Sequence, residues 1–147
     1  MAAGDKKYNL NQAIALHRAG QLPEAEAAYR AVLRAQPRQA DAHALLGVVL
    51  EALGRPQEAV AAIKQAMLLD PQAPLFRFYL GNALLAAGDA AGAAQALRVV
   101  VQRQPQLAEA HYNLGNALKL LDDKAGAIAA YRACLALQPA AHEARNN

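Results

Sequence analysis

Residues 108–141 read AEAHYNLGNALKLLDDKAGAIAAYRACLALQPAA, and this stretch decides the fold. Its apolar residues recur every three or four positions in two runs, as they do along one face of a helix. The pair Asp122-Asp123 separates the two runs, and Pro139 ends the second run because proline cannot continue a helix. The stretch therefore predicts two helices joined by a short turn.

The same pattern occurs four times along the chain, with a closing proline every 34 residues at Pro37, Pro71, Pro105 and Pro139. The units are residues 6–39, 40–73, 74–107 and 108–141. Each unit predicts two helices; the first is called the inner helix and the second the outer helix. The eight predicted helices are 7–19, 22–35, 40–53, 56–69, 74–87, 90–103, 108–121 and 124–137. One pair cannot bury its own apolar face, so we expect the four pairs to stack on one another.

The predicted turns within the units carry residues that end and start helices. Glycine supplies the left-handed backbone that ends a helix in the first three units, at Gly20, Gly54 and Gly88. Asp89 and Asp123 are suited to cap the outer helices that follow them. Small residues recur on both predicted helices, where they allow close packing: Gly47, Gly81, Gly115, Ala25, Ala59, Ala93 and Ala127.

Composition excludes several functional classes. The chain has 147 residues, a net charge of +3 and one cysteine, so it has no intrachain disulfide and no zinc site built from cysteines. No basic run is longer than Lys6-Lys7, which argues against nucleic-acid binding. No signal peptide or apolar run of membrane-spanning length is present, so we expect no membrane partner and a cytoplasmic location.

Reactive residues are not arranged for catalysis. No phosphate-binding loop, nucleophile elbow or carboxylate pair occurs. His43 and His111 lie two units apart, about 20 Å at ordinary helix spacing, so one metal ion cannot bridge them. Cys134 is expected to be a buried thiol and His17 a surface residue. The sequence therefore predicts a protein without catalytic activity, metal or cofactor.

The Leu-Gly pairs, the recurring alanines, Tyr131 and the closing prolines resemble the tetratricopeptide repeat (TPR) family over residues 6–141. The resemblance implies an all-α fold, a right-handed α-solenoid of antiparallel helix pairs (the TPR superhelix). Residues 1–147 would form one domain, with residues 142–147 as a C-terminal stub or the start of a cap helix. The inner helices would line a concave groove of roughly 30–40 Å, which fits about ten residues of extended peptide.

Side chains at groove-facing positions include aromatic rings and amides. An amide can both donate to and accept from a peptide backbone, whatever the peptide's sequence. The predicted partner-binding residues are Asn11, Phe78, Tyr79, Asn82, Tyr112, Asn113, Asn116 and Lys119. The competing interpretation is that Phe78 or Tyr112 packs between inner helices and the amides are only solvated. Ala44, Leu45, Val48 and the acidic residues Asp41, Glu51 and Glu109 occupy other groove-facing positions.

The resemblance leaves three functions open. Leu10, Leu45 and Tyr79 stand where the family's carboxylate-binding members have cations or amides, so that activity is not expected. Binding of a protein or peptide partner is the first hypothesis. The second is a substrate-targeting region of a larger enzyme, such as a protein glycosyltransferase, because Asn11 and Asn113 match part of the asparagine row of those proteins. The third is a scaffold that forms a homo-oligomer through its C-terminal end, where Leu135, Leu137 and the inner face near Leu114 and Leu118 are expected to be partly open.

Overall fold

The computed structural model describes residues 8–138, which fold into eight α-helices. The helices are α1 Leu10–Arg18, α2 Leu22–Ala35, α3 Ala40–Ala52, α4 Pro56–Leu69, α5 Phe76–Ala86, α6 Ala90–Arg103, α7 Ala108–Leu120 and α8 Lys124–Ala136. Each helix packs against the next one along the chain, so the predicted all-α stack of four pairs is confirmed. Pro139 and residues 142–147 lie outside the described residues.

Two inner helices begin later than predicted. Asn9 caps α1: its Oδ1 accepts from the Gln12 amide at 2.8 Å, and Gln12 Oε1 accepts from the Asn9 amide at 2.9 Å. This reciprocal capping box starts the helix at Leu10. The predicted start of α5 at residue 74 is wrong by two residues. Pro74 belongs to the preceding turn, where its carbonyl accepts a hydrogen bond from Gln104 Nε2 at 2.7 Å.

The turn within each unit has the predicted backbone. Gly20, Gly54 and Gly88 have φ values of 77°, 79° and 87°, and Asp122 takes the same left-handed conformation at 61°. Left-handed backbone costs a residue with a Cβ about 1–2 kcal/mol more than glycine, so the fourth turn is the strained one. The outer helices that follow are capped as predicted, since Asp89 and Asp123 accept the Gly92 and Gly126 amides.

Glycines in α3, α5 and α7 let the outer helices pack directly on the inner-helix backbone. A Cβ on Gly81 would lie 2.7 Å from Leu97 Cγ, and one on Gly115 would lie 2.6 Å from Tyr131 Cε1. The Ile63 side chain likewise occupies the space that a Cβ on Gly47 would take. These contacts fix how deeply each outer side chain inserts. They therefore set the distance between the two helices of each pair.

The core runs along the whole stack rather than sitting at one centre. One buried cluster, around Tyr29, Leu50 and Ile63, spans the first two units and extends to Leu80 and Ala83 on α5. Another, around Leu97 and Leu114, spans the last two units. Within residues 8–138, α5 packs against both α3 and α7, whereas successive outer helices approach each other less closely. A stack that is shorter on one side must curve toward that side. The inner helices therefore form the concave face and the outer helices the convex face.

Candidate functional site

Four of the predicted partner-binding residues form a half-buried group on the concave face. Tyr79 and Asn82 lie on α5, and Asn113 and Asn116 lie on α7. Asn113 Nδ2 donates to Asn82 Oδ1 at 2.7 Å, which links the two helices side by side. The Tyr131 hydroxyl donates to Asn116 Oδ1 at 2.6 Å. We call these four residues the amide face.

The amide face keeps unused hydrogen-bonding groups after these bonds are made. In the described part of the chain, the Asn82 amide nitrogen, the Asn113 amide oxygen and the Asn116 amide nitrogen have no partner. Two amide nitrogens that can donate and one amide oxygen that can accept are therefore available on adjacent helices. A backbone N–H and C=O of another chain have the same pair of requirements.

In the two middle units the fifth residue is buried rather than open to the groove. For Phe78 this agrees with the competing interpretation, in which its ring packs between inner helices. Phe78 is only 6% exposed and packs with Ala110 and Leu114 in the core. Ala44, the equivalent residue one unit earlier, is fully buried against Ala66 and Phe76. The offset between successive units covers this position. Helical spacing within one unit could not reveal that, because part of the cover comes from the next unit: Phe76 for Ala44, and Ala110 with Leu114 for Phe78.

The other predicted residues lie away from the amide face or at its edge. Tyr112 occupies the fifth position of the last unit and is 52% exposed, with its ring 5.8 Å from that of Tyr131. Lys119 is exposed near the end of α7. Asn11 is exposed on α1 and shares no hydrogen bond with the others.

A pocket of about 230 Å³ adjoins the amide face, formed by the three inner helices α3, α5 and α7 with one residue of α4 at its base. We call it the central pocket. Its lining residues are Val48, Glu51, Ile63, Phe78, Tyr79, Asn82 and Glu109. Tyr79 also borders a second hollow of about 220 Å³ that includes Asp41 and Leu45. The Tyr79 ring therefore divides the centre of the groove in two.

The charges at the centre of the groove are acidic. Burial raises the pKa of Glu51 above its usual value. Burial also raises the pKa of Tyr79, and the negative charge of Asp41 adds to the effect. Neither Glu51 nor Glu109 forms an ion pair within residues 8–138. Both glutamates were predicted to face the groove, but no function was predicted for them.

On the convex side, the carboxylate of Glu26 has cationic partners, which the carboxylate of Glu51 does not have in the described residues. Glu26 accepts from Arg55 Nη1 at 2.8 Å and lies 2.9 Å from Arg30 Nη2. Arg55 also binds Glu58 at 2.6 Å, so the network joins the first two units. Burial alone would raise the pKa of Glu26, but the hydrogen bonds from both arginines bring it below its usual value. This network is structural.

The histidines and the cysteine have structural roles. His43 Nε2 lies 2.8 Å from the Pro37 carbonyl and His111 Nε2 lies 2.9 Å from the Pro105 carbonyl, so each histidine ties an inner helix to the proline before it. His17 was expected at the surface, but it is half-buried because Nδ1 bonds the Tyr29 hydroxyl at 3.1 Å. Burial lowers the pKa of His17 and raises that of Tyr29 to about 12. Cys134 is buried, as predicted.

Within residues 8–138, no three His, Cys, Asp or Glu side chains are grouped as they would be around a metal ion. No helix in that range has both the length and the apolarity needed to span a bilayer.

Several solved structures share this fold. A crystal structure of MamA superposes with a TM-score of 0.78 and 25% identity, covering 86% of this chain and 74% of that chain. MamA from Desulfovibrio magneticus RS-1 gives a TM-score of 0.80 and 26% identity, covering 88% and 73%. An O-GlcNAc transferase from Thermobaculum terrenum, in mutant form, gives 0.70 and 29%, covering 74% of this chain but only 21% of that one. No curated protein sequence matches the chain.

Family patterns match nearly all of the sequence. One pattern described as tetratricopeptide repeat matches residues 10–74 and 49–108, and a second matches residues 108–141. These ranges cover all four units, and the helix pairs within them have the packing that the repeat requires. The chain therefore belongs to the tetratricopeptide repeat family and is a protein-interaction module of that kind.

Proposed function

We propose that this module binds an extended segment of a partner protein along its concave groove and catalyses no reaction itself. The observation that carries the proposal is the pairing of Asn82 with Asn113 across α5 and α7. Two amides that bond each other keep a fixed position and still present one free donor and one free acceptor. Side chains held in this way lose little rotamer freedom when a ligand binds, which favours affinity.

The aromatic residues beside the amides support the same function. Tyr79 is half-buried, so its ring is already ordered while part of its surface is open to the groove. Tyr112 offers a more exposed ring one unit further along. Tyrosine combines apolar contact area with a polar tip and is enriched in binding surfaces. The proposed contact set is the amide face with Tyr112, extended at the two ends of the groove by Asn11 and Lys119. Phe78 contributes only the edge that borders the central pocket.

A selection from a library of random decapeptides displayed on phage tests the proposal. We expect the protein to enrich a subset of these peptides. We expect the double substitution Asn82→Ala, Asn113→Ala to weaken binding of a selected peptide by about tenfold, because two hydrogen bonds are lost. Gln57→Ala combined with Gln95→Ala is the matched control, since both amides are exposed on outer helices. Circular dichroism checks that helicity is unchanged. Failure to enrich any peptide, or equal loss in the control, would contradict the proposal.

A second candidate function is self-association through the C-terminal end. Ala94 is 1% exposed in the third unit because the next unit covers it, whereas the equivalent Ile128 is 50% exposed. Leu121 and Leu135 are 44% and 66% exposed, whereas Leu114 and Leu118, which were expected to be partly open, are buried. Sedimentation at two concentrations tests this candidate: Leu135→Glu should reduce association, and Leu68→Glu on the convex side should not. A strict monomer at high concentration would exclude it.

The third candidate is a targeting region of a larger enzyme. The match to one fifth of an O-GlcNAc transferase is the observation that favours it. The reading frame around this segment decides the matter, because the candidate requires a catalytic domain in the same polypeptide.

A further inference from the structure

We propose that the central pocket binds the cationic side chain of a lysine or arginine in the bound segment. Because such a side chain arrives only as part of a bound segment, this rests on the proposed function and adds a side-chain preference to it. The pocket is about 230 Å³, below the roughly 300–1,000 Å³ of pockets that hold drug-sized ligands. It therefore suits one long side chain rather than a separate small molecule.

The walls of the central pocket suit the chemistry of a long cationic side chain. Val48 and the Tyr79 ring give apolar surface for the methylene stem, which lysine and arginine bury readily. The face of a tyrosine ring also attracts a cation. Glu51 and Glu109 supply the negative charge for the head group from two different helices. A carboxylate of the partner would be repelled by the same residues.

The proposal rests mainly on Glu51, because neither a helix dipole nor a cationic side chain in the described structure stabilises its negative charge. Asp41 and Glu109 lie in the first turns of α3 and α7, where an acidic residue stabilises the helix dipole. Glu51 lies in the last turn of α3, where the dipole opposes it. It is half-buried and has no cationic partner within residues 8–138. An ionised carboxylate in this place costs stability until a counter-ion arrives.

The rise in the pKa of Glu51 through burial is consistent with this cost. A bound cation would return the electrostatic energy that burial takes away, so the gain appears only in the complex. Glu26 shows how the chain treats a carboxylate that serves the fold, because two arginines contact it directly. No residue on α1, α3, α5 or α7 does the same for Glu51 in the described structure.

The composition of selected peptides tests the preference. The probe is the decapeptide library displayed on phage. We expect the wild-type protein to enrich lysine or arginine at one position of the recovered peptides. Glu51→Gln with Glu109→Gln should still recover peptides but without that enrichment. Glu24→Gln with Glu58→Gln, which removes two negative charges from exposed sites on outer helices, should keep that enrichment.

A double-mutant cycle makes the test quantitative. Replacing the preferred lysine of a selected peptide by methionine should weaken binding to the wild type by about tenfold and binding to Glu51→Gln by less than about twofold. An equal loss on both proteins would overturn the inference. Peptides recovered without any basic preference would also overturn it while leaving the proposed function intact. If no peptide is recovered, the proposed function fails and this inference fails with it.

Discussion

The concave and convex faces of this module each hold a half-buried glutamate, and the two differ in their cationic partners and in the direction of their pKa shift. Glu26 on the convex side lies between Arg30 and Arg55, and its pKa falls below the usual value because their hydrogen bonds outweigh burial. Glu51 on the concave side has no such partner in the described chain, and burial raises its pKa. The convex charge is neutralised within the fold. The concave charge has no cation beside it in the described chain, and this difference supports the proposal that the concave face binds the partner.

The largest effect on stability is expected at Gly81, where the inner helix α5 packs against the outer helix α6. Gly81→Val should lower the free energy of unfolding by roughly 2–3 kcal/mol, because its side chain would overlap Leu97, which is fully buried and has no room to move. Both faces would lose their geometry together. Urea denaturation measures the change.

Ala91→Val on α6 is the control for that substitution, since it adds the same side chain at an exposed helical position. It should cost about 0.5 kcal/mol through helix propensity alone. Equal losses in the two variants would show that the contact between Gly81 and Leu97 does not hold the pair together.

A smaller effect is expected at the turn that leads from the concave helix α7 to the convex helix α8. Asp122→Gly should raise the free energy of unfolding by about 1 kcal/mol, because it relieves the strain of a left-handed backbone at a residue with a Cβ. Gly88→Asp makes the reverse change in the preceding unit, where no atom lies within 4 Å of an added Cβ. It should lose a similar amount. Thermal unfolding of both variants checks the pair.

The smallest effects come from the two glutamates and have opposite signs. At pH 7, Glu26→Gln should lower the free energy of unfolding by up to about 1 kcal/mol, the upper range for a partly exposed ion pair. Glu51→Gln should raise it slightly, because a buried charge without a partner is removed. Urea denaturation at pH 7 measures both. A loss of stability in Glu51→Gln would contradict the comparison between the faces.

The pH dependence of the same variants sharpens the comparison. The folded pKa of Glu26 is lowered, so its contribution to stability is present above the unfolded pKa and is lost as the pH falls through the folded pKa. The folded pKa of Glu51 is raised, so its contribution is present below the unfolded pKa and is lost as the pH rises through the folded pKa. In urea denaturation at a series of pH values, Glu26→Gln should remove the loss of stability that accompanies falling pH. Glu51→Gln should remove the loss that accompanies rising pH, and neither substitution should change the other effect.

The bounds of most helices could be predicted from the sequence, but only some of the residues that face the groove could. The outer helices α2, α4 and α6 have their predicted bounds, because proline and the glycine turns mark both ends. Tyr79 and Asn82 face the groove as helical spacing predicts. Phe78 and Ala44 do not, because the neighbouring unit covers them. The pairing of Asn82 with Asn113 gave no signal in the sequence, since the two residues are 31 positions apart and on different helices.

The sequence by itself determined the helices, their turns and the repeat, because these depend on residues within one unit of 34 and on the local geometry of glycine, proline and capping side chains. Only the tertiary structure decided which face holds a compensated charge and which holds an open pocket. That outcome depends on the offset between successive units, and the offset is set by contacts between side chains from different units, at positions that no local spacing specifies.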